Sequence, residues 1–348
     1  MTIEWWNYVQ LNHPKTEERL FLYTERVGFV CLIASAGTQS MGCREKRHPP
    51  QKLRWRDHRR QSEETVIIDA FMFFNEADLL EIRLNELDPV VDWFVIVESL
   101  QTFSGRTRAA LLPEIWDTVK PFEHKIKYQV LSRLLPEYRK SWNKSKIIWP
   151  REHFQRNALL QAALEIPATH DDILMISDCD EIPRMTTLRD NLGELKRGIH
   201  TLEMDLFYYS VNNRLSYWNG TTIGRIAEIR ESGGPAVVRE RNGKGNIVIK
   251  NGGWHFSYFG GPEHMKTKVE SFSHSSERRF KKFLKKDPQE ILSDIVSRRD
   301  VVGRDFPFRE HWHSDDPRLP GHFLNNPHRY AHFTEEFYKR SPLVSSQT

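Results

Sequence analysis

Short apolar runs that alternate with amphipathic segments constrain the fold more than any other feature of this sequence. The runs are rich in β-branched and aromatic residues, which favour strands. The predicted strands are residues 66–69, 93–98, 125–130 and 172–177. Apolar residues at helical spacing predict helices at residues 75–87, with Asn75 as the N-cap, and at residues 151–164. This alternation is typical of α/β proteins, so we expect a mostly parallel central sheet flanked by helices.

Three of the predicted strands lead into carboxylates. Asp69 closes the first, Glu98 closes the second, and Asp178 and Asp180 follow the last. In open parallel sheets, ligands bind in the crevice beyond the carboxyl ends of the strands. The pattern therefore predicts a ligand site where these carboxylates meet.

The strongest signal for chemistry is the sequence SDCDEIP at residues 177–183. Asp178 and Asp180 are two positions apart in a loop that follows a predicted strand and ends at Pro183. Both carboxylates can reach one divalent ion and leave coordination positions open for phosphate oxygens. An EF-hand is excluded, because its glycine and terminal glutamate do not follow. A solvated acidic turn is the alternative interpretation.

A second signal is the sequence GGWHFSYFGGPE at residues 252–263. Its glycine pairs allow the backbone to approach a ligand closely, and Trp254 offers a flat face to a sugar ring. His255 is a candidate metal ligand or acid–base group, and Glu263 is a candidate general base. The alternative is a glycine-kinked corner of the sheet whose aromatic residues belong to the core.

The second predicted helix carries two arginines. A guanidinium group matches phosphate oxygens in a bidentate manner, so Arg151 or Arg156 is a candidate to bind a diphosphate. The two lie five positions apart and diverge around the helix, so they need not act together. A solvated basic face is the alternative.

The N-terminal region differs from the rest of the chain in composition and charge. Residues 27–37 are apolar but too few to span a bilayer, which takes about 20 residues. They predict a buried strand or helix, with a degenerate membrane anchor as the alternative, so membrane association stays open. Residues 41–62 contain eight lysines and arginines and two acidic residues, a net charge of +6. We expect residues 1–64 to be a partly disordered extension with a basic linker, residues 65–340 to form one α/β domain, and residues 341–348 to be a frayed tail.

Composition excludes several other classes. With 39% hydrophobic and 28% charged residues the chain is globular, and three cysteines are too few for a disulfide scaffold. The net charge of +4 resides in the basic linker, so it does not indicate a nucleic-acid partner. The sequence lacks the motifs of dinucleotide-binding proteins, P-loop NTPases, zincins and serine hydrolases.

Four blocks, in order along the chain, resemble glycosyltransferase family 17. They lie between residues 66 and 307 and comprise residues 69–87, residues 94–105, residues 151–183 and residues 253–274, the last with Lys268. The resemblance implies a GT-A-like nucleotide-sugar transferase fold and action in the secretory pathway, in the Golgi. It further implies a UDP-GlcNAc donor, an N-glycan mannose as acceptor in the bisecting-GlcNAc manner, and a divalent ion, Mn²⁺, as cofactor. Transfer would invert the anomeric centre.

The resemblance and the residue chemistry together give the expected roles. The expected metal ligands are Asp178, Asp180 and His255, with Glu181 supporting their loop. The expected donor-binding residues are Asp69, Asn75, Glu76, Glu98, Arg151, Arg156, Asp178 and Trp254. Glu263 is the expected catalytic base, and Asp205 is its rival.

Other functions fit parts of the same pattern. A transferase with another donor or acceptor, or a metal-dependent phosphodiesterase, would need the same acidic loop. A non-catalytic carbohydrate-binding protein would use the aromatic residues alone. A nucleic-acid-binding protein would use the basic linker, although the acidic loop would repel a polyanion.

Overall fold

The structure is a computed structural model of a chain that divides into two compact units, Met1–Arg59 and Arg60–Thr348. In the first unit it describes the backbone of three strands. In the second it describes residues 65–134, 145–193, 195–271, 277–304 and 310–341.

The strands of the first unit are β1 (Asn7–Leu11), β2 (Arg19–Thr24) and β3 (Gly28–Ile33), which form an antiparallel sheet in that order. The apolar run at residues 27–37 thus contains a strand, one of the two structures expected for it. Residues 34–64, including the basic linker, and residues 342–348 lie outside the described residues. In the part of the chain that is described, no helix is both long and apolar enough to cross a membrane.

The second unit alternates strands and helices as the sequence predicts. Its strands are β4 (Ile67–Phe73), β5 (Trp93–Ser99), β6 (Ile126–Leu131), β7 (Ile173–Asp178), β8 (Glu181–Pro183), β9 (His200–Tyr208), β10 (Asn213–Arg225), β11 (Ile247–Ile249), β12 (Gly253–Ser257) and β13 (Glu310–His311). Its α-helices are α1 (Ala77–Leu87), α2 (Trp116–Val119), α3 (Ser145–Ala163), α4 (Met185–Leu192), α5 (Ile226–Glu231), α6 (Pro235–Glu240), α7 (Gly261–Ser271), α8 (Arg278–Phe283), α9 (Pro288–Val296), α10 (Gly321–Asn325) and α11 (Glu335–Lys339), and its 3₁₀ helices are Lys120–Lys125 and Ala331–Phe333. The N-cap of α1 is Glu76, so the prediction of Asn75 is wrong by one residue.

The central sheet is mixed, which corrects the prediction of a mostly parallel one. Its order is β6-β5-β4-β7-β10-β9-β12-β8, with β11 beside β9 and β13 beside β10. The first four strands are parallel, but β10 is antiparallel to both β7 and β9. The physical reason is the short connection at residues 209–212, because a few residues can join only antiparallel neighbours.

Both faces of the parallel half are buried. Ile68 and Ala70 of β4 belong to the apolar cluster that includes α3, and Phe71 and Phe73 belong to the cluster that includes α1. Because helices cover both faces of these strands, the strands consist of continuous apolar runs in the sequence. Asp69 lies on the α1 side and is wholly buried, so this core contains a charged group that requires a partner.

One edge of the sheet collects the carboxyl ends of six strands. β9 and β12 run parallel to each other, and two antiparallel pairings bring β9 parallel to β7. The chain therefore leaves β4, β5, β6, β7, β9 and β12 at the same edge, as expected for a ligand site in this class.

Gly253 sets how closely β12 approaches β8. Its φ is +139°, and a Cβ there would collide with the carbonyl oxygen of Ile182 and lie within 2.9 Å of the Pro183 Cα. We expect Gly253→Ala to lower the free energy of unfolding by about 1–3 kcal/mol, because β8 must move. Urea denaturation would measure the loss.

The matched control is Gly193→Ala at the end of α4. Gly193 has a helical φ of −64°, and a Cβ there meets no atom within 4 Å. This change should leave stability equal or raise it by about 0.4–1 kcal/mol. Equal stability of Gly253→Ala and wild type would contradict the close approach of β12 to β8.

Candidate active site

The acidic motif forms the turn between β7 and β8. Asp178 ends β7, Cys179 and Asp180 make the turn, and Glu181 begins β8. The Asp178 side chain is 35% exposed, whereas those of Asp180 and Glu181 are 6% and 0% exposed. Two buried carboxylates exclude a solvated acidic turn and require nearby cations.

A single guanidinium group fixes the backbone of this turn. Arg83 of α1 is fully buried and makes a bidentate pair with Asp69, at 2.6 and 2.7 Å. Its other nitrogen–hydrogen groups donate to the Ser177 hydroxyl at 2.5 Å and to the carbonyl oxygens of Glu181 and Asp178 at 2.6 and 3.1 Å. Arg83 thereby ties β4, β7 and β8 together beneath the acidic turn.

Asp69 does not lie at a strand end as predicted, because β4 continues four residues beyond it. Glu98 does lie at the carboxyl end of β5, one residue before Ser99, with which the strand ends. Both carboxylates are wholly buried, so neither offers a surface to a donor. Asp69 holds Arg83. Glu98 accepts from the backbone nitrogen–hydrogen groups of Leu111 and Leu112 at 2.7 and 3.2 Å, and it thereby anchors the segment after β5.

Two arginines neutralise Asp178 and Glu181. Arg156 of α3 donates to Asp178 Oδ1 at 2.9 Å. Arg239 of α6 donates to both oxygens of Glu181 at 2.8 and 3.0 Å, and it lies 3.5 Å from Asp178 Oδ2. Burial opposes ionisation of Asp178, but Arg156 and Arg239 outweigh it and hold the pKa of Asp178 below its ordinary value.

A lysine and a histidine face Asp180. Lys268 Nζ lies 2.6 Å from Asp180 Oδ2 and 3.1 Å from Glu76 Oε1, and His255 Nε2 lies 3.6 Å from the same Asp180 oxygen. Burial would raise the pKa of Asp180, but Lys268 and His255 hold that pKa well below its usual range. The opposite charges likewise raise the pKa of Lys268 against its burial. Asp180 is therefore an anion and Lys268 a cation at neutral pH.

His255 shares a face of the sheet with the acidic turn. It pairs in register with Glu181 of β8, and its ring lies 5.1 Å from that of Trp218. Trp218 Nε1 donates to Glu181 at 2.7 Å. The structure therefore brings His255 to the predicted metal ligand Asp180.

Trp254 and Asp205 occupy the opposite face. They pair in register with each other and alternate with His255 and Leu206, so their side chains point away from the acidic turn. Trp254 is 1% exposed and donates from Nε1 to the Arg318 carbonyl at 2.9 Å. The prediction that Trp254 stacks on a sugar is wrong, because this aromatic run is the glycine-kinked corner of the alternative interpretation. Asp205 pairs with Arg214 at 2.7 Å, and its orientation removes it as a base beside the turn.

Of the remaining predicted residues, Glu76 joins the turn through Lys268. Its second oxygen accepts from the backbone nitrogen–hydrogen groups of Phe74 and Asn75 at 3.2 and 3.1 Å. Asn75 Oδ1 is buried and has no hydrogen-bond partner within the described ranges. Arg151 Nη1 donates to the Phe103 carbonyl at 3.0 Å, beside the segment after β5.

Glu263 lies exposed in the first turn of α7. Lys268, which contacts the acidic turn, is on the same helix, so α7 connects the two residues. The role of Glu263 as catalytic base stays a prediction.

Sequence reasoning assigned no role to Arg83, Arg239, Trp218 or Lys268. The role of Arg83 could be inferred from the sequence, because it lies among the apolar residues of a predicted buried helix face, where a charge needs a buried partner. No local sequence pattern indicates the roles of Arg239 and Trp218. They lie 58 and 37 residues from Glu181 along the chain, and only the fold brings them together.

Negative charge exceeds positive charge around the turn. The carboxylates that meet there are Glu76, Glu152, Asp178, Asp180 and Glu181, and the cations paired with them are Arg156, Arg239 and Lys268. Five negative groups against three positive groups leave an excess of two negative charges. In the described ranges, no group of three or more His, Cys, Asp or Glu side chains is arranged to hold a metal ion. The metal-binding role of Asp178, Asp180 and His255 therefore stays a prediction.

Comparison with known proteins identifies the class. The model of the family "Glycosyltransferase family 17" matches residues 47–315. The chain belongs to this family, and it is a glycosyltransferase.

Individual relatives match a smaller part of the chain. It is 32% identical over 121 residues to the β-1,4-mannosyl-glycoprotein 4-β-N-acetylglucosaminyltransferase of Rattus norvegicus and, over the same length, to that of Homo sapiens. The matched part is 34% of this chain and about a fifth of each relative, 21% and 22%. The solved inositol-1-phosphate CTP transferase from T. maritima is 10% identical, with a TM-score of 0.32, covering 56% of this chain and 86% of that one.

Loss of the Arg83 side chain should destabilise the protein, because this side chain holds the backbone of the acidic turn. Arg83→Met leaves Asp69 buried without a counter-charge, and we expect the free energy of unfolding to fall by about 3–5 kcal/mol. In Asp69→Asn/Arg83→Met no buried charge is left unpaired, so the double variant should lose less than the two single variants together. Urea denaturation of the four proteins gives the comparison. Arg83→Met within about 1 kcal/mol of wild type would contradict this role.

Proposed function

We propose that this glycosyltransferase transfers N-acetylglucosamine from UDP-GlcNAc to a mannose of a glycoprotein N-glycan, with inversion and with Mn²⁺ as cofactor. The observation that carries the proposal is the acidic turn, with its excess of two negative charges, at the carboxyl edge of the sheet. The names of the relatives support the donor sugar and the acceptor. Action on N-glycans would place the enzyme in the secretory pathway, in the Golgi.

The fold supports a GT-A-like assignment as part of the same proposal. The parallel half of the sheet, β6-β5-β4-β7, opens onto the acidic turn. Its strand order reverses between β4 and β7, and such switch points are where α/β proteins bind nucleotides. Glu76 and Asn75 follow β4 at this point, so we expect the nucleotide beside them.

Asp178, Asp180 and His255 would hold the divalent ion. When bound, such an ion stabilises the charge that develops on a departing diphosphate. The surrounding arginines have a different role from the ion. Arg156 and Arg239 fix the carboxylates in place, so the anionic side of the site is organised before the donor arrives.

Glu263 would act as the base. In a single displacement, the acceptor oxygen forms a bond to the anomeric carbon while the bond from that carbon to the UDP oxygen breaks. The acceptor hydroxyl proton passes to the Glu263 carboxylate, and UDP leaves with the bonding electron pair. An exposed carboxylate at the start of α7 is accessible to a bulky acceptor, which supports this assignment.

Asp180→Asn should lower the rate of transfer by about 100-fold or more, because a metal ligand contributes several kcal/mol to the transition state. The assay is transfer from UDP-GlcNAc to a small panel of N-glycans with added Mn²⁺, read by mass spectrometry of the products. Asp190→Asn on the exposed side of α4 is the matched control and should keep wild-type activity. Full activity of Asp180→Asn would contradict the assignment of Asp180 as a metal ligand.

Glu263→Gln should lower kcat by about 10²–10⁴-fold and leave donor binding intact, because only proton transfer is lost. Glu270→Gln, on the same helix in an exposed pair with Arg106, controls for a change of charge in α7 and should remain active. Equilibrium binding of UDP separates the two effects. Near-normal turnover of Glu263→Gln would contradict the role of Glu263 as the base and would mean that another group accepts the proton.

A further inference from the structure

One lysine side chain occupies the position at which a cation would bind Asp180. Lys268 projects from α7, its side chain is 16% exposed, and its ammonium nitrogen is 2.6 Å from Asp180 Oδ2. The same nitrogen is 3.1 Å from Glu76 Oε1. Lys268 thus joins the second aspartate of the acidic turn to the carboxylate that follows β4.

The ammonium group and a divalent ion compete for one oxygen atom. Asp180 Oδ2 is also 3.6 Å from His255 Nε2, a separation that two ligands of one small cation can adopt. A divalent ion between those atoms would lie about 2 Å from Oδ2. Lys268 already directs an ammonium proton at the same oxygen, and two cations at such short distances repel each other. Binding of either cation at Asp180 therefore weakens the binding of the other.

Glu76 gives the ammonium group a second partner. Its Oε1 already contacts Lys268, and its Oε2 is held by the backbone nitrogen–hydrogen groups of Phe74 and Asn75. Lys268 can therefore release Asp180 and keep one buried counter-charge. A diphosphate bound beside the turn would supply further oxygen atoms to the released ammonium group.

We propose that Lys268 is a resident counter-ion that excludes the divalent ion from Asp180 until the diphosphate of the donor is bound. Lys268 is a positioning residue in this scheme. The diphosphate draws the ammonium group away from Asp180, and the divalent ion takes its place, so the ion and the nucleotide bind cooperatively. By linkage, each must strengthen the binding of the other by the same factor. The inference rests on the proposed function, since it assumes a metal and a nucleotide at this turn.

The test is a titration of the full chain with Mn²⁺, in which electron paramagnetic resonance measures the free ion, with and without UDP. Lys268→Met should bind Mn²⁺ alone at least about tenfold more tightly than wild type, because the competing charge is gone. The strengthening of Mn²⁺ binding by UDP should shrink in this variant. Lys268→Arg, which keeps the charge, should restore most of that strengthening.

Lys266→Met is the matched control. It removes the same charge from the same helix, two positions away, where Lys266 lies on a different face from Lys268. Its Mn²⁺ affinity should stay within about threefold of wild type. If Lys268→Met is poorly folded, Lys268→Gln makes the same comparison with a polar side chain.

Two results would overturn the inference. One is equal Mn²⁺ affinity of wild type and Lys268→Met without UDP, including no binding by either. The other is an undiminished effect of UDP in Lys268→Met. Failure of the proposed function is a separate observation, because it appears as absent sugar transfer by wild type, whereas the Mn²⁺ titration does not depend on turnover.

Discussion

The site depends on one buried ion pair, that of Arg83 with Asp69. A buried charge is tolerated only when its partners replace the lost water, and here five hydrogen bonds at 2.5–3.1 Å do so. The guanidinium group is planar, so its partners must lie in fixed directions. Those partners belong to β4, β7 and the start of β8. The direction in which the chain leaves β7 is therefore set by α1, which packs beneath the sheet.

Above that pair, acidic and basic side chains alternate across several elements. Arg156 comes from α3, Arg239 from α6 and Lys268 from α7, and each contacts a carboxylate of the acidic turn. Each of these charges faces an opposite charge at hydrogen-bond distance, so the arrangement forms without a ligand. Such preorganisation is what an enzyme needs to stabilise the charge of a departing phosphate group.

The sequence predicted the elements well and the orientations less well. Periodicity located α1, β5 and β7 within two residues, because each buries a regular apolar pattern. It also located the end of α3, but that helix begins at Ser145, six residues before the predicted start. It did not show where β4 ends, so Asp69 was placed at a strand end instead of inside the core. The short β9–β10 connection was not recognised, and with it the antiparallel pairings were missed. Trp254 fitted two interpretations because glycines beside aromatics suit a ligand and a sheet corner equally. The partners Arg239 and Lys268 lie 58 and 88 residues from the carboxylates they contact, a distance that local patterns do not bridge.

The span of those contacts has a consequence for folding. Arg83 bonds to a carbonyl 98 residues away, and Lys268 meets Asp180 across 88 residues. Contacts of high sequence separation form late, because closing long loops costs chain entropy before the contact contributes. A nascent chain would thus have its outer helices and strands before it had an assembled anionic turn. Sugar transfer would then require the domain to be folded from α1 to α7, so a partly folded chain would be inactive.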